Sequence, residues 1–142
     1  MTTTLYRAAA ADSPHMGEMS CWSPDRATAE AYLANEAMGG PALYRVELEI
    51  PRLLDLRGAG SERALREAVA EALGLRGVEA EELRDAQGRT RYPWEWEGYP
   101  YRDALAERYD AIQYTDDYPE DAETIVLLRD LVWEQDAEAE RL

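Results

Sequence analysis

Between positions 43 and 50 the chain alternates strictly. Leu43, Arg45, Glu47 and Glu49 interleave with Tyr44, Val46, Leu48 and Ile50. A two-residue period of this kind predicts a strand with one wet face, and Pro51 stops it. A second strand signal opens the chain, where Thr3 to Ala9 is β-branched and aromatic. Met19 to Ser23 predicts a short strand, and Leu53 to Leu56 a short strand or turn. The segment Tyr109 to Leu128 predicts a strand, an acidic loop from Asp116 to Asp121, and a strand. Ile112 and Tyr114 alternate with polar residues, Pro119 falls in the loop, and Thr124 to Leu128 is an apolar run suited to a central strand.

Helical periods lie between these strands. Ser23-Pro24 has the form of an N-cap followed by a first-turn proline, with Ala27, Ala31 and Tyr32 marking a helix face to about Met38 and Gly39-Gly40-Pro41 ending it. Ser61, Ala64, Leu65, Ala68, Val69, Ala72 and Leu73 give an amphipathic helix closed by Gly74. Glu79 to Arg84 adds a further turn or two, and Asp103 to Arg108 a short helix. The tail from Leu131 to Leu142 is expected to be an acidic helix. Together these elements predict one α+β domain over residues 1–142, with two small, mostly antiparallel sheets and flanking helices at 24–38 and 61–73.

Charge narrows the function. Thirty acids against fifteen basic residues give a formal net charge of −15. Direct binding to nucleic acid phosphates is disfavoured, and a partner with a basic face is favoured. The basic residues are all arginine; lysine is missing, as is phenylalanine, so tyrosine, tryptophan and leucine supply the bulk. Cys21 stands alone, which excludes an internal disulfide, and one cysteine with one histidine excludes a Cys/His zinc site. A reducing, cytoplasmic setting is expected, with no membrane segment.

Several side chains are candidates for chemistry, each with a plainer role beside it. Arg7, inside the first strand, is an exposed edge residue or a two-pronged anion clamp. Ser23 is a helix cap or an active hydroxyl, Tyr32 a core residue or a ligand-stacking ring, and His15 a solvated loop residue. Glu123, at the mouth of the last strand, is a solvated acid or a carboxylate placed to meet developing positive charge. The aromatic loop 91–101 packs onto the core or stacks a planar ring.

Three stretches resemble the ADP-ribosyltransferase superfamily, in its arginine–serine–glutamate branch of small bacterial or phage proteins. Leu5-Tyr-Arg-Ala8 resembles the strand whose arginine holds NAD. Ser20-Cys-Trp-Ser23, followed by Ala29 and Tyr32, resembles the serine strand and its helix. Asp121-Ala-Glu-Thr-Ile-Val-Leu127, after Tyr109 to Tyr114, resembles the acidic pair before an apolar strand. The serine motif is longer here than the family's tight form, and the first acid is aspartate where the family has glutamate.

The resemblance implies a split β-sandwich with NAD, as substrate, in the cleft and no metal. It implies that Glu123 stabilises an oxocarbenium-like state, with Asp121 and Ser23 assisting, while Arg7, Tyr6, Ser20, Trp22 and Tyr32 hold NAD. The expected function is then a transferase, a glycosyltransferase passing ADP-ribose to a macromolecular acceptor, with NAD hydrolysis on the same scaffold and a phage or plasmid effector or toxin as its setting. The competing expectation is a non-catalytic acidic protein that inhibits a nucleic-acid-binding partner.

Overall fold

The computed structural model of the protein describes residues 2–33, 40–57, 61–85, 100–116 and 122–142. The aromatic loop at 91–99, the turn at 117–121 and the segment 34–39 lie outside the described residues.

Strand β1 (Thr3–Ala9) pairs antiparallel with β3 (Ala42–Leu48) over its whole length, from Thr3 opposite Leu48 to Ala9 opposite Ala42. The alternation in β3 decides its faces: Val46 and Leu48 are buried, while Glu47 between them is exposed. Gly40 leads into β3 with φ +139°, and a Cβ there would sit 2.5 Å from the backbone carbon of Ala9, so a glycine is required at this approach.

A second sheet runs in the order β2 (Cys21–Trp22), β6 (Ala122–Leu127), β5 (Ala111–Asp116) and β4 (Leu53–Asp55). The expected hairpin is present, with β5 and β6 antiparallel from Ala111–Leu127 to Asp116–Ala122. β4 lies parallel to β5. A parallel pair needs a long crossover, and α2 (Ser61–Ala72), α3 (Val78–Asp85) and α4 (Pro100–Ala106) fall within that connection. α2 ends as its sequence predicts. Gly74 adopts φ +69° while Leu75 N donates to Ala70 O at 2.9 Å and Gly74 N to Glu71 O at 3.1 Å.

Both faces of the second sheet are covered. One packs Ile112, Tyr114, Val126 and Leu128 against Val69 and Leu105; the other packs Ile125 and Leu127 with Trp22, Leu5, Val46 and Leu48 from the first sheet. The sheets are also tied directly, since Tyr6 and Ser23 exchange two backbone hydrogen bonds of 2.8 Å. The α+β architecture with two mostly antiparallel sheets is therefore as expected. Among the described residues no helix is long and apolar enough to cross a membrane.

Two elements differ from their sequence reading. The first helix, α1, spans only Arg26–Glu30, and its N-cap is Asp25, whose carboxylate accepts from Ala27 N at 3.2 Å and from Thr28 Oγ1 at 3.0 Å. Ser23, two residues earlier, is held by other bonds. The tail is not a continuous helix: α5 (Leu131–Glu134) makes one turn, Asp136 adopts φ +50°, and the chain returns as β7 (Glu140–Arg141) along β3. Helix propensity loses here to packing, because the returning ribbon lays Ala137 and Ala139 against the core around Leu131. Gln135 completes the attachment. Its amide accepts from Glu49 N at 2.9 Å and donates to Glu49 O at 2.7 Å, as a neighbouring strand would.

Candidate functional site

A cavity of about 340 Å³ opens where β1, β2 and α1 meet the β5–β6 hairpin. Tyr6, Arg7 and Ala8 supply one wall and Trp22 and Ser23 another. Thr28, Ala29 and Tyr32 come from α1 and the turn after it, and Tyr114 and Thr124 from the hairpin. Five residues singled out from the sequence, Tyr6, Arg7, Trp22, Ser23 and Tyr32, thus share one cavity. Thr28, Tyr114 and Thr124 also line it, although none is a candidate from the sequence; they reach the cavity through packing.

Arg7 is partly buried. Its Nε donates to His15 O at 3.0 Å and one terminal nitrogen to Cys21 O at 2.8 Å, so it pins the loop 10–20 to β2. Burial pulls the guanidinium below its ordinary pKa, with Cys21 acting the other way. Ser20 is buried and is not among the lining residues: its hydroxyl donates to Gly17 O at 2.6 Å and accepts from Trp22 Nε1 at 2.8 Å, fixing the indole. Ser23 is buried, donates to Glu123 O at 2.7 Å and accepts from Asp25 N at 3.1 Å, so it links β6 to the start of α1. Ser23→Ala is expected to cost about 1–2 kcal/mol in chemical denaturation, because two backbone groups lose a buried partner. A loss under a few tenths of a kcal/mol would show the link to be dispensable.

Glu123 is not among the residues lining the cavity. Neighbours on a strand point to opposite faces, and it is Thr124 that lines it. The Glu123 carboxylate lies 3.7 Å from Arg57 and 3.5 Å from Gln113 Nε2. Arg57 also holds the Asp55 carboxyl down at about 2, chiefly through its side-chain hydrogen bonds and then through its backbone N–H. The acid is therefore part of a surface pair network with Arg57 and Asp55. Asp121 lies outside the described residues. Among the described residues no group of three or more His, Cys, Asp or Glu side chains gathers to hold a metal.

Chemically, the cavity offers a cation, hydroxyls and apolar rings, with no carboxylate among the described residues that line it. Cleaving a glycosidic bond through a cationic state calls for a carboxylate facing the sugar.

No family model matches the chain, and no curated protein is significantly similar to it. Among solved structures, the crystal structure of an anti-CRISPR protein matches with a TM-score of 0.52 and 17% identity, over 100% of this chain and 96% of that one. At that identity the likeness is one of fold. The expectation of an NAD-dependent ADP-ribosyltransferase is corrected on this finding: a protein that shares the architecture from end to end is an anti-CRISPR protein. The placement of Glu123 beside Arg57 and away from the cavity accords with that correction.

Proposed function

We propose that this chain is a non-catalytic acidic inhibitor that binds the basic, nucleic-acid-binding face of a partner protein belonging to a CRISPR system. The observation that carries the reading is the end-to-end likeness to an anti-CRISPR protein. The charge supports it independently. A guide- or target-binding channel must be positive to hold phosphates, and a 142-residue protein of net charge −15 competes for such a channel on electrostatic terms. Folded carboxylates need no chemistry for this; they need a fixed position and a complementary field.

The test is a purified inhibitor titrated into RNA-guided nucleases of several types, with target DNA binding and cleavage as readouts. Inhibition is expected to saturate at a fixed stoichiometry, to weaken steeply with added salt, and to persist in Arg7→Lys and Glu123→Gln. Nucleases that bind and cut DNA unaltered at excess inhibitor, or inhibition that vanishes with Glu123→Gln in a folded protein, would overturn it.

A further inference from the structure

The C-terminal ribbon leaves its tryptophan in solvent, the most exposed large apolar side chain among the described residues. Trp133 is 80% exposed, although its neighbour Leu131 is 3% exposed and packed into the core beside Trp22. A tryptophan left in water by a fold with a core one residue away is a common mark of an interface anchor.

Its setting is rigid. Asp130 caps the turn by accepting from Trp133 N at 3.2 Å, and Arg129 ion-pairs with both Asp110 and Glu134. Beyond the turn, the Gln135 amide grips Glu49 and β7 pairs with β3, with Leu142 N donating to Leu43 O at 2.8 Å. The setting is also acidic: Asp130, Glu134, Asp136, Glu138 and Glu140 fall between positions 130 and 142, against Arg141 alone. Asp136 and Glu138 are exposed.

We infer that Trp133 and the acidic ribbon around it form the docking surface for the basic partner, with the indole face receiving an arginine guanidinium while the carboxylates draw in its neighbours. This rests on the reading of the chain as an inhibitor of a basic protein. The occupant follows from charge complementarity: an indole takes cations on its face, guanidinium best of all because it is planar and weakly hydrated, and the rim carries the opposite sign. Ordering cost is small, since the ribbon is already held in place. The indole sets affinity and the ribbon sets the rate of encounter, so the two can be separated by substitution.

The experiment has two arms. In the first, a short alternating Arg–Gly peptide is titrated by calorimetry at low salt, with the Trp133 indole N–H followed by NMR. The wild type is expected to bind and to shift that signal. Trp133→Ala is expected to bind about thirtyfold more weakly, the size of an interface hot spot, with its salt dependence kept. The double variant Asp136→Asn, Glu138→Gln is expected to lose salt dependence, and Val78→Ala, exposed on a distant helix, to behave as wild type. Thermal melting of each variant checks folding, and an 80% exposed indole contributes little to it. Peptide binding unchanged by Trp133→Ala, or no binding by the wild type, overturns the inference. In the second arm the same variants enter the nuclease assay. Inhibition that survives Trp133→Ala overturns the inference and leaves the inhibitor reading standing. A Trp133-dependent peptide interaction with no nuclease inhibited does the reverse.

Discussion

Trp22→Ala is expected to lower stability by about 3–5 kcal/mol, the range for removing a fully buried tryptophan. Trp22 is 1% exposed and packs where the two sheets meet, opposite Ile125 on β6 and among Leu5, Val46, Leu48 and Leu127. Without phenylalanine in the chain, few other side chains have the volume to close that gap. The loss is a large part of the roughly 5–15 kcal/mol that holds a domain of this size. Urea denaturation followed by far-UV circular dichroism measures it. Trp22→Phe separates packing from hydrogen bonding: the ring keeps most of the volume, Ser20 Oγ loses the indole donor but retains Gly17 O, and about 1–2 kcal/mol is expected. An alanine variant within about 1 kcal/mol of wild type would mean that the sheets do not depend on this contact.

Asp110→Ala is the second large effect, expected at about 3 kcal/mol. Asp110 is 4% exposed and sits just before β5. Its carboxylate accepts from Arg52 N at 3.1 Å, from an Arg52 terminal nitrogen at 2.9 Å and from Arg129 at 3.0 Å. Its backbone adds bonds in both directions, Asp110 N to Arg52 O at 2.7 Å and Leu128 N to Asp110 O at 2.9 Å. One residue thus ties the chain before β4, the start of β5 and the chain after β6. Alanine leaves the Arg52 backbone N–H, in a part-buried bond, and two guanidinium groups without their shared acceptor. Both arginines are partly exposed and recover some hydration, which keeps the cost below that of a fully enclosed charge. A double-mutant cycle with Arg52→Ala checks the mechanism: the two losses should be clearly less than additive, and full additivity would show that the pair is not coupled.

Much of this fold was legible as alternation. β3 and β5 follow from alternation, β1 from its β-branched and aromatic residues, β6 from an apolar run after a loop of turn residues, and α2 from its apolar stripe and Gly74. The parallel pairing of β4 with β5 was not, because a three-residue strand carries no signal for its neighbour's direction. Ser23 and Asp25 are both good N-cap types one residue either side of Pro24, and only the tertiary bond from Ser23 to Glu123 O decides between them. The tail's acids and alanines suit a helix locally, and the turn at Asp136 depends on what β3 offers alongside.

Tyr6, Arg7, Trp22, Ser23 and Tyr32 stand out in the sequence and share the cavity, yet the side on which Glu123 lies was not legible. β6 is covered on both faces, so Thr124 and Val126 look no more inward in the sequence than Ile125 and Leu127. With no wet face to orient the strand, a motif match was free to place its acid on either side. Trp133 falls in the tail expected to be an acidic helix; that helix lasts one turn, and the residue lies outside the core.

The margins of the two sheets set a rule for recognition. β2 and β7 are two residues long and β4 three, and β7 is Glu-Arg, charged at both positions. β1, the one long border strand among the described residues, is engaged near its middle by Ser23. Extended peptides that annex themselves to a neighbour's backbone need an unclaimed row of amides and carbonyls, and little of one is on offer. Whatever binds this molecule has to read its side chains, which makes its specificity a matter of surface substitutions and leaves the architecture free to be kept while targets change.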